Sequence, residues 1–135
     1  MSKIYWDSSA LIGACQDDAL SAKFWAEGGV VRTHVFSEVF STLTGGRLGY
    51  RVDAHDASEI VSNMARHLSV EDLSTAQVLR VLAEGKQRGV RGGQVHDLLH
   101  AAAAVEAECD VVATYNLADF RGLYQELEVV SPEDL

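Results

Sequence analysis

Four short apolar stretches, residues 4–6, 30–33, 110–114 ("DVVAT") and 127–130, are separated by segments whose apolar residues recur at helical spacing. That alternation leaves few folds open. Strands interleaved with helices predict an α/β class chain, a three-layer α/β/α sandwich with a mostly parallel central sheet. The helical signals are local and specific. Ser8 or Ser9 offers a cap for a helix that starts directly after Asp7, and Val35, Val39 and Leu43 recur beside the i, i+4 pair Phe36 and Phe40. Asp53 caps a helix running to about residue 68, and Ser74 with Gln77 is a capping-box signature for one through about residue 88. Within a helix over residues 94–108, the run "DLLHAAAAVEAE" carries side chains small enough to lie close on a sheet. "GGRLGYR" and "RGVRGG" break the pattern, and no internal repeat or low-complexity linker interrupts it. A length of 135 residues suits one domain over 1–135.

Charge narrows the function. With 20 acidic and 11 basic residues the net charge is −9, which excludes broad binding to nucleic acid through a basic face. Any such contact is local, and an acidic chain of this kind suits either a site that uses a divalent cation to admit a phosphate or a partner that brings basic residues. No apolar run approaches the roughly twenty residues needed to span a bilayer, and "MSKIYWDSS" has neither a basic leader nor a long apolar segment, so a cytoplasmic location is expected. Cys15 and Cys109 lie far apart, in no metal-binding spacing, and read as free buried thiols.

In open α/β sheets, ligands collect beyond the C-terminal ends of the strands. Asp7 ends the first apolar stretch, while Tyr115, Asn116 and Asp119 follow "DVVAT". Asp97 falls in the first turn of its helix and Glu38 in the first half of another, so both can overhang the same edge. Singly, each acid has a plain explanation: Asp7 a strand-end cap, Asp97 a carboxylate favoured by the helix dipole, Asp119 a turn residue. Glu38 differs, because Val35, Phe36, Val39 and Phe40 surround it and a buried carboxylate is costly unless paired or bound to metal. Together these acids suit phosphodiester hydrolysis assisted by Mg²⁺ or Mn²⁺, hard cations that prefer oxygen ligands.

The ordered set Asp7 in "IYWDSSALI", Glu38 in "VFSEVFSTLT", Asp97 in "VHDLLHAAAA", and "ATYNLADF" resembles the PIN domain, and within it VapC-type toxins, over almost the full length. The resemblance implies a small PIN-like α/β/α endoribonuclease that uses Mg²⁺, or Mn²⁺, to cut single-stranded or structured RNA. It also implies a homodimer and a cognate antitoxin protein as partner. Carried over by position, Asp7, Glu38 and Asp97 bind the metal, and Thr114 or Ser9 supplies a hydroxyl behind them. Where many relatives have an aspartate this chain has Asn116, with Asp119 as the alternative for the fourth position. An amide oxygen can ligate a cation but brings no charge.

Other features fit around that core reading. His34, His96 and His100 invite a general-base role, but a cation that acidifies its own water needs no separate base, so hydrogen-bonded or surface roles are preferred. Arg47, Arg51, Arg88, Arg91 and Arg121 lie in or near loops, suited to RNA phosphates, an antitoxin tail or plain solvation. Trp6, Trp25 and Tyr50 read mostly as core, whereas Tyr115 sits in the motif loop where an unpaired base would stack. "GGQVHD" lacks the spacing of a nucleotide-binding glycine loop. Two rivals remain: a catalytically inactive PIN-like module that binds RNA or protein, favoured by Asn116, and a phosphoacceptor or phosphatase with Asp7 as nucleophile. The second lacks the neighbouring acid and later lysine that such chemistry uses.

Overall fold

The computed structural model describes residues 2–135. Its centre is a sheet of β1 (Ile4–Trp6), β2 (Val30–Val31), β3 (Ser69–Val70), β4 (Val111–Ala113) and β5 (Glu128–Val130), in the order β3-β2-β1-β4-β5. All four pairings are parallel, with Tyr5 opposite Val30 on one side and Val112 on the other, and Val112 opposite Val129. The helices are α1 (Ser8–Gln16), α2 (Asp18–Glu27), α3 (His34–Gly45), α4 (Ala54–His67), α5 (Thr75–Ala83), α6 (Val95–Glu106) and the single turn α7 (Leu117–Phe120).

Because successive strand residues point to opposite faces, the short strands divide the core into two layers. Ile4, Trp6, Val31 and Ala113 pack against residues of α1, α2, α3 and α4, whereas Tyr5, Val30 and Val112 pack against α5, α6 and the segment around Phe120. The result is the three-layer sandwich. Burial on both faces explains why the central strands are unbroken apolar runs rather than alternating ones. On α6, Ala101, Ala102, Ala103 and Ala104 are all buried, so this helix lies against the sheet without large side chains holding it off.

Several local readings need correction. Neither Ser8 nor Ser9 caps α1; the N-cap is Asp7, whose side chain makes no capping bond, and Ser9 turns back to that carboxylate instead. Asp17 splits the following segment, closing α1 and capping α2 by accepting from the Leu20 N–H at 2.8 Å. Asp53 and the Ser74/Gln77 box cap as expected, but α5 stops at Ala83, and turns through Gly85 and Gly89 replace its last expected turn. The sequence reading contains no β3, an exposed edge strand held by Ser69 N to Gly29 O and Glu71 N to Val31 O, both 2.9 Å. Cys15 is exposed and only Cys109 is buried. Trp25 and Tyr50 are exposed, not core. Among the described residues no helix is long and apolar enough to cross a membrane.

Candidate active site

From β1 the chain builds outward to β2 and β3, then returns to add β4 and β5 on the other side of β1. The β1–β4 boundary is therefore the topological switch point, where connections leave in opposite directions and open a crevice at the C-terminal ends of the strands. Asp7 ends β1 and is anchored there by its N–H to Ala113 O at 3.0 Å; Thr114 ends β4.

The two strand ends are tied together by hydroxyls. Asp7 is 2 % exposed, and its Oδ2 accepts from Ser9 Oγ at 2.9 Å and from Thr114 Oγ1 at 2.8 Å. Each hydroxyl has one proton and gives it to Asp7, leaving its lone pairs for backbone donors: Tyr115 N to Ser9 Oγ and Asn116 N to Thr114 Oγ1, both 2.9 Å. The loop carrying Tyr115 and Asn116 is thereby fixed to the first strand. Both hydroxyls hold the same oxygen, so Asp7 Oδ1 is the one left to meet a ligand.

Glu38 reaches this edge from α3, and its side chain is 29 % exposed. Its Oε1 lies 2.6 Å from Nε2 of His100, a residue of α6 with no exposed surface, and His100 Nδ1 lies 2.7 Å from the Tyr5 hydroxyl. Burial raises the Glu38 carboxyl, but the hydrogen bond from His100, with the neighbouring His34 and His96 rings, outweighs it and leaves the group below its usual range. Burial pushes the Tyr5 phenol well up, so it stays protonated. His34 and His96 stack at 5.4 Å between ring centres, beside rather than within this chain of bonds.

Asp97 stands in the first turn of α6 and is pushed up to about 6, first by burial and then by the negative charges of Asp7 and Asp119, with Glu38 adding to the effect. A helix N-terminus favours a carboxylate; here burial and the neighbouring acids override it. The charge of Asp119, in α7, reaches Asp97, and Asn116 lines the neighbouring cleft together with Glu38.

That cleft, about 730 Å³, runs between α1 and α3. Its walls are rich in hydroxyls, with Ser8 and Ser9 from α1 and Ser37, Ser41 and Thr42 from α3, and it ends at Tyr115 and Asn116. Of the arginines considered from sequence, Arg47 alone lines it. Arg88 is instead occupied by Glu84, the Leu123 carbonyl and the Tyr124 ring. Tyr115 is 44 % exposed, and its hydroxyl donates to Glu133 Oε1 at 2.6 Å; burial, then Glu133, raises the phenol to about 12. Gly13 makes room for that ring, since a Cβ there would lie 2.8 Å from Tyr115 Cε2. The sequence reading did not find the partnership of His100 with Glu38, nor the part of Tyr5. The available signal was a lone histidine one turn after Asp97, inside an alanine run that has to be buried.

The donor set suits a hard divalent cation: carboxylate oxygens that repel one another, next to hydroxyls and without a cationic side chain among the four acids. Among the described residues no three His, Cys, Asp or Glu side chains stand close enough to cage an ion. Mg²⁺ does not require such a cage, because it keeps several of its waters and is held by one or two carboxylates. Asp7, Glu38 and Asp97 are the residues that would hold it, with Asp119 adding charge nearby.

A parallel sheet in this order with helices on both faces defines a three-layer α/β/α fold whose acids gather at the switch point. No protein-family model matches the sequence, and no curated protein is significantly similar to it. Solved structures are. PAE2754 from Pyrobaculum aerophilum superposes with a TM-score of 0.68 at 21 % identity, over 98 % of this chain and 91 % of that one. VapBC-1 from nontypeable Haemophilus influenzae gives a TM-score of 0.68 at 14 % identity, over 96 % of this chain and 98 % of that one.

Proposed function

We propose that this chain is a metal-dependent endoribonuclease, the toxin of a VapBC-like pair, acting as one domain in which Asp7, Glu38 and Asp97 hold Mg²⁺ or Mn²⁺. The observation that carries the reading is the gathering of acids at the switch point, where burial first, and then the charges of Asp7 and Asp119 with Glu38 adding to them, raise Asp97 to about 6. Such a grouping serves no fold by itself and gains its purpose from a cation. When bound, the cation would polarise the phosphoryl oxygen and lower the pKa of a water for in-line attack. The protein's own part is to hold Asp7 through Ser9 and Thr114, to seat the RNA backbone along the hydroxyl-lined cleft with Arg47 on a phosphate, and to offer Tyr115 to an unpaired base. Likeness to VapBC-1 supports a cognate antitoxin partner, and a net charge of −9 suits one that presents basic residues. A cytoplasmic homodimer is the assembly we propose.

The test is cleavage of pooled cellular RNA with Mg²⁺, Mn²⁺ or excess chelator, beside Asp7→Asn and Asp97→Asn proteins checked for folding by circular dichroism. Cutting should require metal and fall to background in both variants; parental rates in either would remove these residues from the site. The inactive binding module is favoured by Asn116, which brings no charge to the fourth position. RNA binding without cutting, in folded protein free of antitoxin, would establish that alternative.

A further inference from the structure

We propose that His100 and Tyr5 form a buried positioning relay that fixes one oxygen of Glu38 and leaves the other directed to the cation; the inference rests on the reading of Glu38 as a ligand. The relay spans the sheet. Tyr5 is the middle residue of β1 and faces the α6 layer, His100 comes from α6, and Glu38 comes from α3 in the opposite layer. Tyr5 Oη also accepts from Arg32 N at 3.2 Å, where β2 ends. Glu38 is therefore referenced to two strands and two helices rather than to its own flexible stem.

Counting protons fixes the direction of the relay. Tyr5 Oη accepts from the Arg32 N–H, and its own proton has one available acceptor, His100 Nδ1 at 2.7 Å. His100 must then carry its proton on Nε2, where it donates to Glu38 Oε1 at 2.6 Å. The opposite tautomer would set the Nε2 lone pair against a carboxylate oxygen at that distance and leave the phenol proton without an acceptor. A doubly protonated ring would strand the same phenol proton. With Oε1 taken, Oε2 is the oxygen free to face the acids and the cleft that Glu38 lines. His100 touches neither RNA nor metal in this account; it acts through Glu38.

Such outer partners of ligating groups typically contribute about 10- to 100-fold in metal affinity. The test combines Mn²⁺ titration by calorimetry on the full chain with a long-range ¹⁵N–¹H spectrum of the histidine rings in chelator. In the parent, His100 should show protonated Nε2 and bare Nδ1. His100→Leu should weaken Mn²⁺ binding about 10- to 100-fold, while His100→Gln, whose amide nitrogen can take the place of Nε2, should restore most of it. Protonated Nδ1 in the parent, which needs no variant to fold, would overturn the relay, as would unchanged Mn²⁺ affinity in folded His100→Leu protein. Parental Mn²⁺ binding that is lost in His100→Leu, without RNA cutting by either, would sink the nuclease reading and keep the relay. Absence of Mn²⁺ binding by the parent would remove both.

Discussion

Replacing Asp97 by asparagine should stabilise the metal-free protein while destroying the activity proposed for it. The carboxyl is displaced from 3.8 to about 6 by burial and by the charges of Asp7 and Asp119. In full, that displacement corresponds to about 3 kcal/mol. Asp97 is part-exposed, so solvent screening reduces the cost of its charge to roughly 1 to 1.5 kcal/mol. The sign follows from linkage. A folded-state value above the unfolded one means that the native state binds more protons, so the favourable contribution is complete below 3.8 and is lost as pH rises through about 6. Asparagine has no charge to repel, and no side-chain hydrogen bond to Asp97 is lost by the change. In chelator at pH 7.5 the variant should therefore melt roughly 3 to 6 °C above the parent, and the gap should narrow toward pH 5. Urea unfolding at both pH values measures the same difference without heating. Excess Mg²⁺ or Mn²⁺ should reverse the order, because ligand binding to the native state stabilises the parent by mass action and the variant less. Equal stability at pH 7.5, or a gap that does not change with pH, would refute the claim that burial and the neighbouring acids raise Asp97.

Three further outcomes are expected. Tyr115→Ala should lower kcat/KM on single-stranded RNA about tenfold through lost stacking, whereas Tyr115→Phe, which keeps the ring and gives up only the bond to Glu133, should stay near the parent; equal losses in the two would assign Tyr115 to the C-terminal contact instead. Arg47→Ala should raise KM at constant kcat and reduce the salt dependence of RNA binding by about 0.7 in the log–log slope, as expected for one lost phosphate contact to a single strand. Asp72 accepts from both the N–H and the hydroxyl of Thr33 at 2.7 Å, and those bonds hold its carboxyl below the usual range. Its contribution is present above the unfolded value and lost as pH falls through the folded one, so Asp72→Ala should cost about 1 kcal/mol at pH 7 and progressively less in acid, as read by urea unfolding.

Much of this arrangement was legible in the residues. Buried parallel strands are apolar throughout, so 4–6 and 110–114 announced themselves, and a carboxylate placed directly after a strand belongs at the ligand edge whichever way the sheet is ordered. The edge strand β3 escaped because its two residues, Ser69 and Val70, are exposed and too few to show a period; backbone bonds to Gly29 and Val31 make it a strand. The end of α5 escaped for a related reason, since the residues after Ala83 keep helical composition while Gly85 and Gly89 allow turns. Trp25 and Tyr50 were assigned to the core from side-chain type alone, and type does not say which face of a helix or loop meets solvent.

By itself, then, the sequence determined the alternation of strand and helix, the layered class of fold and the four acids that can share an edge, because periodicity and strand-end position are local properties of the chain. Which oxygen of Asp7 is free, and that a histidine 62 residues along the chain holds Glu38 in place, were decided only in three dimensions. Those facts depend on which strands lie side by side and on which buried donors find acceptors across the sheet, and residues far apart in sequence carry no local sign of such pairings.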